Sequence, residues 1–346
     1  MFFASDNSGP VHPEVLTALA AANEGYAMAY GADAQMAEVT DRIRTLFEAP
    51  EAAVYLVATG TAANALALAT LAQPWQTVFC SPVAHIHEDE CNAPEFFSGG
   101  AKLTLVPGTD KMDPDALRTS IEGEETRGVH GPQRGPVSIT QVTERGSVYT
   151  LAEIETLCAV AKNFALPVYM DGARYSNALA RLNCSPAEMT WKAGVDVVSF
   201  GGTKNGLMGV EAVIFFDSAH AWEFELRRKR GAQLFSKHRY LSAQMLAYLE
   251  DDLWLRSARK ANAAAAQLAD GLRARGVTFA HSPDANMLFP VFPRRIHQRL
   301  HDAGAAYHIW AGSLDGDDPE EGLTARLVCD WSVTPDAVDT FLGHFD

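Results

Sequence analysis

One lysine, Lys204, has neighbours that suggest covalent chemistry. It lies in the segment Gly-Gly-Thr-Lys-Asn-Gly, directly after an apolar run at residues 195–200. Most lysines are exposed and keep a protein soluble, but that role does not explain a lysine flanked by Gly, Thr and Asn at the end of a buried strand. Because a lysine amine can form a Schiff base with a carbonyl compound, we interpret Lys204 as a nucleophile.

A carboxylate ends the apolar run that comes one predicted strand earlier. Asp171 follows residues 167–170, and Arg174 comes soon after it. Taken alone, the two side chains fit a structural ion pair equally well. A carboxylate in this place could also keep a ring nitrogen protonated, so that the ring can accept electrons.

A turn of small residues connects a predicted strand at residues 53–58 with a predicted helix at residues 61–71. The turn contains Thr59, Gly60 and Thr61. Free backbone N–H groups and the positive end of the helix dipole favour a phosphate at such a helix start, and Gly60 allows close approach. On its own, the segment also fits a simple helix cap.

Together these segments supply what an aldehyde cofactor with a phosphate and a pyridine nitrogen requires. Lys204 would form the Schiff base, Asp171 would hold the ring nitrogen in its protonated form, and the helix start would bind the phosphate. The three segments together indicate this cofactor more specifically than any one of them does alone. The sequence therefore predicts a site for pyridoxal 5'-phosphate (PLP).

A histidine, His85, follows the apolar run at residues 77–80 on a predicted loop. A neutral imidazole there could stack on the pyridine ring or act as a base. Two other interpretations are a surface histidine with satisfied hydrogen bonds and a metal site formed with His87, Glu88 and Glu90. Their spacing matches no recognised ligand motif, so we predict no metal.

Alternating strand and helix patterns must position these side chains. Over almost the whole stretch from residue 53 to residue 216, short apolar runs alternate with helical segments, which predicts a largely parallel sheet covered by helices on both faces. In such sheets, ligands bind at the carboxyl ends of the strands. Residue pairs typical of a capping box, Thr150 with Glu153 and Ser185 with Glu188, predict two helix starts.

The pattern changes beyond about residue 240. A long helix, apolar runs near residues 287–292, 307–310 and 323–331, and a terminal helix beginning at Pro335 indicate a compact α+β unit. We therefore predict a large domain of residues 1–240 and a small C-terminal domain of residues 241–346, with a small molecule bound in the cleft between them.

Composition narrows the class of protein further. The 346 residues are 47% hydrophobic and 21% charged, as expected of a globular protein, and the net charge of −15 disfavours nucleic acid as a partner. The basic run at residues 227–230 fits either a solvated helix face or a polyanion site. No apolar run reaches the ~20 residues of a membrane span, and the N-terminus does not resemble a signal peptide, so we expect a cytoplasmic protein.

The five cysteines include no CxxC pair, and we expect them to be reduced thiols.

These motifs, in this order, resemble the threonine aldolase family of fold-type I PLP enzymes, in particular the bacterial low-specificity L-threonine aldolases. The resemblance runs nearly end to end and implies a mostly parallel seven-stranded sheet sandwiched by helices, followed by a smaller C-terminal α+β domain. The segments that carry it are Ser5-Asp6-Asn7, Tyr30-Gly31 with Asp33, Thr59-Gly60-Thr61 with Asn64, His85, Asp171-Gly172-Ala173-Arg174, Gly202-Thr203-Lys204-Asn205 and Arg326-Leu327-Val328.

The resemblance implies a role for each matching residue. Lys204 would form the Schiff base with PLP, Asp171 would pair with the pyridine nitrogen, and His85 would stack on the ring. The other residues implied at the cofactor are Thr59, Gly60, Thr61 and Arg174.

The resemblance also implies where the substrate binds. Ser5, Arg174 and Arg326 would bind the substrate carboxylate, which suits the fork of donors on arginine. Tyr30 would lie near the active site of a neighbouring subunit, because the family forms homotetramers, built as dimers of dimers, that share their sites. A basic residue from residues 237–239 would reach the neighbour's phosphate.

One departure from the family concerns the catalytic base. Many members have a histidine close to the substrate hydroxyl where this chain has Thr143, Glu144 and Arg145. The identity of the base is therefore open, and our prediction is His85, acting through water with Glu88 or Glu90 nearby.

The predicted reaction is retro-aldol cleavage of L-threonine, L-allo-threonine and related L-β-hydroxy-α-amino acids to glycine and an aldehyde. A PLP-dependent β-eliminating lyase or an aminotransferase on the same fold is the first alternative. A PLP-fold protein with a binding or regulatory role and no enzymatic activity is the second.

Overall fold

A seven-stranded sheet forms the centre of the larger part of the molecule. The structure is a computed structural model that describes residues 1–345. The strand order is β1-β7-β6-β5-β4-β2-β3. The strands are β1 (Ala53–Val57), β2 (Gln76–Cys80), β3 (Lys102–Leu105), β4 (Gln133–Thr140), β5 (Val168–Asp171), β6 (Val197–Gly201) and β7 (Glu211–Phe215).

The strand directions confirm the predicted, largely parallel sheet. Strands β3, β2, β4, β5 and β6 are parallel to one another, whereas β7 is antiparallel to its two neighbours, β6 and β1. Every residue of β5, β6 and β7 is buried, as expected of strands covered on both faces. The carboxyl ends of β4, β5 and β6 meet at one edge, where Thr140 pairs with Asp171.

Thirteen α-helices within residues 1–345 surround the two sheets. The capping box predicted from Thr150 and Glu153 is complete at the start of α7, and the Asp33 side chain caps α2. The helices are α1 (Pro13–Ala22), α2 (Ala34–Leu46), α3 (Gly60–Leu71), α4 (His85–Glu88), α5 (Ala93–Ser98), α6 (Pro114–Gly123), α7 (Leu151–Asn163), α8 (Tyr175–Leu182), α9 (Ala221–Arg230), α10 (Arg239–Leu249), α11 (Leu253–Ala274), α12 (Arg294–Asp302) and α13 (Pro335–Leu342).

Two local predictions were wrong. The Ser185 N–H donates to the Glu188 carboxylate at 2.7 Å and the Glu188 N–H donates to Ser185 Oγ at 3.2 Å, yet only turns and a short 3-10 helix follow. The reason is that Gly194, with φ of 102°, reverses the chain into β6 before a helix can extend. The second error concerns His85, which begins the short helix α4 rather than lying on a loop.

A smaller antiparallel sheet lies in the C-terminal part of the chain. The predicted run at residues 287–292 is divided between two strands, because Pro290 has no N–H to donate across the sheet. The strands are β8 (Thr278–Phe279), β9 (Met287–Leu288), β10 (Pro290–Pro293), β11 (His308–Ala311) and β12 (Gly322–Val328).

The N-terminal segment packs against this smaller sheet. The Phe3 ring lies 5.2 Å from the Phe341 ring, and the Phe3 carbonyl accepts a hydrogen bond from the Val328 N–H. One apolar cluster packs on the seven-stranded sheet and includes residues up to Trp254, together with Ala285. A second apolar cluster packs on the smaller sheet and includes Phe3 and residues from Ala264 onward. The domain boundary after residue 240 stays a prediction. No helix of residues 1–345 is long and apolar enough to cross a membrane.

Candidate active site

A cavity of about 340 Å³ lies at the edge where the carboxyl ends of the central strands meet. Its lining includes Lys204, Asp171 and His85, together with the turn at residues 59–61. The tertiary structure therefore brings together four segments that are far apart in the sequence. Further lining residues are Asn7, Ala58, Asn64, Glu144, Ala173, Thr203 and Glu211.

Lys204 lies in a tight 3-10 turn between β6 and β7. The following residue, Asn205, is buried and donates to the Tyr248 hydroxyl at 2.6 Å. Gly206 ends the turn with φ of 103°, and a Cβ atom there would overlap the His12 ring. These contacts fix the backbone of the turn, so that Lys204 is presented to the cavity from a rigid support.

Asp171 is held in one orientation by two donors. Asn64 Nδ2 donates to Oδ2 at 2.9 Å, and the Ala173 N–H donates to Oδ1 at 3.0 Å. Asn64 is itself oriented by the Tyr169 hydroxyl, which donates to its Oδ1 at 2.6 Å. The two hydrogen bonds fix the position of the carboxylate at the cavity wall.

His85 is paired with a buried acid. Its Nδ1 lies 2.8 Å from Glu90 Oε1, which also accepts a hydrogen bond from Asn64 at 2.6 Å. The hydrogen bond to Glu90 raises the pKa of His85, and burial raises the pKa of Glu90. Glu88 is exposed to solvent. Within residues 1–345, no group of three or more His, Cys, Asp and Glu side chains is arranged to hold a metal ion.

At the start of α3, two backbone N–H groups have no hydrogen-bond partner within the helix. Thr59 caps the helix: its Oγ1 accepts from the Ala62 N–H and its carbonyl accepts from the Ala63 N–H, both at 3.1 Å. The N–H groups of Gly60 and Thr61 have no partner within the helix. A Cβ atom at Gly60 would meet no atom within 4 Å, so there is open space for an anion beside these donors.

Arg174 is buried and already paired. Its Nε donates to Asp6 Oδ2 at 2.7 Å and its Nη2 donates to Asp6 Oδ1 at 3.0 Å. Burial alone would raise the pKa of Asp6, but the charges of Arg174 and Lys204 outweigh burial and lower it. Arg174 is not among the residues that line the cavity.

The other three residues predicted to bind substrate lie at different places. Arg326 is half-buried on β12, where burial and the nearby Arg174 charge lower its pKa. Ser5 accepts a hydrogen bond from the Asn7 N–H at 3.1 Å, which places Asn7 on the cavity wall. Tyr30 is exposed, and Lys229 Nζ lies 4.6 Å from its ring.

Sequence reasoning missed one acid in the cavity and left another without a role. Glu211 is buried and accepts a hydrogen bond from the Gly202 N–H at 2.7 Å, and burial raises its pKa to about 7. The only signal in the sequence was a charged residue at the start of the apolar run that forms β7. Glu144, which we noted only as a departure from the family, lines the same cavity, and burial raises its pKa.

This donor set fits PLP. An amine, a fixed carboxylate and free N–H groups at a helix start lie around one cavity, and they match the aldehyde, the pyridine nitrogen and the phosphate of that cofactor. His85 lines the same cavity and could contact a flat ring.

Comparisons with known proteins agree with this site. The model of the beta-eliminating lyase family matches residues 3–293. A low specificity L-threonine aldolase of Pseudomonas aeruginosa is 42% identical over 333 residues, and one of a Pseudomonas sp. is 42% identical over 335 residues. Each alignment covers 96% of this chain and 93% of the relative. The solved threonine aldolase of Leishmania major superposes with a TM-score of 0.92 at 26% identity, covering 99% of this chain and 98% of that one.

The fold and the relatives together confirm two predictions from the sequence. The seven-stranded sheet with a smaller C-terminal unit is that of the fold-type I PLP enzymes, and the resemblance to threonine aldolases is confirmed. The chain belongs to the beta-eliminating lyase family, in the branch that contains the low specificity L-threonine aldolases.

Proposed function

We propose that this protein is a PLP-dependent carbon-carbon lyase that cleaves L-threonine, L-allo-threonine and related L-β-hydroxy-α-amino acids to glycine and an aldehyde. The observation that carries the proposal is the meeting of Lys204, Asp171 and the start of α3 around one cavity. The names of the two relatives at 42% identity support the choice of substrate class.

Each cavity residue has a proposed task toward the cofactor. When bound, PLP supplies an electron sink for the pair released as the Cα–Cβ bond of the substrate breaks. Lys204 would hold the cofactor through Nζ, and Asp171 would keep a proton on the ring nitrogen. His85 would lie against the ring, and residues 59–61 would bind the phosphate.

The substrate carboxylate is proposed to bind at Arg326. This guanidinium forms no ion pair with any carboxylate of residues 1–345, and its only hydrogen-bond contact there is Met287 Sδ at 3.6 Å. A half-buried, unpaired arginine near the site is suited to a carboxylate ligand. Arg174 and Ser5 are proposed to support this binding, Arg174 from its buried pair with Asp6.

We also propose that the protein is a cytoplasmic homotetramer, a dimer of dimers with shared active sites. Tyr26, Met28 and Tyr30 are exposed on one segment, and a patch of exposed apolar side chains suits a subunit contact. In the adjoining segment, residues 237–239, Lys237 is exposed and free to reach a neighbouring subunit, whereas His238 is buried.

The test combines spectroscopy with product analysis. Purified protein with PLP should show an absorbance band near ~420 nm, typical of a PLP Schiff base. Lys204→Ala should abolish the band, whereas Lys102→Ala, which removes an exposed lysine from an edge strand, should keep it. The unmodified protein should then release acetaldehyde and glycine from L-threonine and L-allo-threonine.

The other possible outcomes of this test distinguish the alternative functions. The band with release of pyruvate and ammonia would indicate an eliminating lyase, and transfer of the amino group to a keto acid would indicate an aminotransferase. The band without turnover of any amino acid would favour a binding or regulatory protein. No band after addition of PLP would contradict the proposal as a whole.

A further inference from the structure

Glu144 differs from the other two carboxylates that line the cavity. Asp171 accepts hydrogen bonds from Asn64 and from the Ala173 N–H, and Glu211 accepts them from Gly202 and Thr203. The carboxylate of Glu144 accepts no hydrogen bond from any residue of the described range 1–345, although it faces the same cavity. A carboxylate held at a cavity wall without a protein donor is free to accept a proton or a hydrogen bond from a ligand.

The backbone that carries Glu144 is held firmly. Glu144 follows β4, whose last residue Thr140 is the register partner of Asp171. Thr143 anchors the turn: its Oγ1 donates to Asp110 Oδ2 at 2.9 Å, and its N–H donates to the Ser147 carbonyl at 3.0 Å. Catalytic groups act best from such a fixed support, because little entropy is then lost when the substrate binds.

The charges around Glu144 suit proton transfer. Burial raises the pKa of Glu144, and the charges of Lys204 and Arg174 oppose this effect only in part. A carboxylate whose pKa lies above its ordinary value is a stronger base while it is still ionised at neutral pH. Lys204, which would hold the cofactor, lines the same cavity as Glu144.

His85, the base predicted from the sequence, is less suited to the task. Its Nδ1 is engaged by the buried Glu90 at 2.8 Å, and in the proposed site its ring lies against the cofactor rather than toward the substrate hydroxyl. The other two cavity acids are already occupied by protein donors. Glu144 is the one carboxylate among the lining residues that has no protein donor within residues 1–345 and could therefore remove a proton from a substrate hydroxyl.

We propose that Glu144 is the catalytic base that takes the proton of the substrate β-hydroxyl. The inference rests on the proposed function. In this step the O–H bond breaks, its proton passes to a Glu144 carboxylate oxygen, and its electron pair forms the carbonyl of the aldehyde product. The Cα–Cβ bond breaks at the same time, and PLP, when bound, would supply the sink for its electron pair.

Glu144→Gln tests the inference, because it removes the charge and keeps the size of the side chain. Acetaldehyde release from L-threonine should fall on the order of 100-fold or more, the usual effect of losing a general base. Exchange of a Cα proton of glycine in deuterated water should stay within about threefold, because glycine has no hydroxyl; we estimate this limit from the size of ordinary structural perturbations. The matched control is Glu155→Gln, which neutralises an exposed glutamate on α7 and should change neither rate.

The outcomes separate this inference from the proposed function. If the unmodified protein cleaves no β-hydroxy amino acid, the proposed function fails. If it does and Glu144→Gln cleaves L-threonine at a similar rate, or loses glycine exchange to the same extent as cleavage, Glu144 is not the base. Should Glu144→Gln fail to fold, Glu144→Ala with added formate decides: formate should restore acetaldehyde release, and the lack of any formate effect would overturn the inference.

Discussion

At the scale of single residues, the cavity holds carboxylates with different surroundings and therefore different tasks. Asp171 is fixed by two donors and suits a stationary partner for a ring nitrogen, whereas Glu144 has no protein donor within residues 1–345 and suits proton transfer. Glu211 lies beneath the lysine turn and accepts from the Gly202 N–H. Its pKa of about 7 means that its charge changes near neutral pH.

We predict that Glu211 makes stability depend on pH. Burial raises its pKa from 4.5 to about 7, so the folded state binds the proton more tightly than the unfolded state. The resulting stabilisation is complete below pH 4.5 and is lost as the pH rises through about 7. Glu211→Gln should therefore raise the free energy of unfolding, relative to the unmodified protein, by roughly 1–3 kcal/mol more at pH 8 than at pH 5. Urea unfolding of both proteins at pH 5 and pH 8 measures the gain in the free energy of unfolding that the substitution gives at each pH. The same gain at both pH values would contradict this role of Glu211.

At the scale of elements, the site depends on how closely the ends of β5 and β6 approach. A Cβ atom at Gly172 would overlap the Ser199 carbonyl oxygen, and a Cβ atom at Gly201 would lie 2.5 Å from the Ala173 carbonyl oxygen. Only glycine permits this contact, because it has no side chain. The contact sets the spacing between Asp171 at the end of β5 and the turn that follows β6.

Gly172→Ala should consequently disturb both stability and activity. The added methyl group forces the ends of β5 and β6 apart, at a cost of roughly 1–3 kcal/mol in the free energy of unfolding. Because Asp171 is the adjacent residue, aldehyde release should fall as well. Urea unfolding and the acetaldehyde assay provide the two measurements. Gly123→Ala, at the end of α6 where a Cβ atom meets nothing within 4 Å, is the matched control and should be neutral or slightly stabilising.

At the scale of the whole molecule, the N-terminal segment connects the site to the C-terminal part of the chain. Asp6 pairs with Arg174 close to the end of β5, and Asn286 Nδ2 donates to the same carboxylate at 3.1 Å. Phe3 packs in the second apolar cluster. The segment therefore contacts both the start of α8, next to the end of β5, and the smaller sheet.

Asp6→Ala is expected to destabilise the protein strongly. It leaves the buried Arg174 guanidinium without its partner, and breaking a buried pair costs about 3–5 kcal/mol. The pKa of Asp6 is lowered in the folded state. The stabilisation that Asp6 provides is therefore present above its ordinary pKa of 3.8 and is lost as the pH falls through the lowered pKa. Urea unfolding at pH 7 measures the loss. Glu48→Ala, which breaks the exposed pair with Lys192, should cost at most about 1 kcal/mol, and a similar cost for both variants would refute the role of Asp6.

The sequence by itself determined the parts of this protein that local patterns encode. Buried strands and capped helices leave periodic apolar runs and cap residues in the sequence, so the parallel sheet and the start of α7 were predictable. Lys204, Asp171 and the turn at residues 59–61 were recognisable because each follows a buried strand. Their meeting at one cavity follows from the parallel order of those strands.

Only the tertiary structure decided which polar side chains have partners. Asp6 meets Arg174, and Glu90 meets His85 with Asn64, through contacts between different segments of the chain. The tertiary structure also leaves the carboxylate of Glu144 at the cavity wall without a protein donor from the part of the chain that the structure describes. Whether a carboxylate is buried, paired or free depends on neighbours brought by the packing of distant elements, and no local pattern records those neighbours. Burial and charge set the proton affinity of each group, so the division of tasks among the acids of the site is a property of the folded molecule.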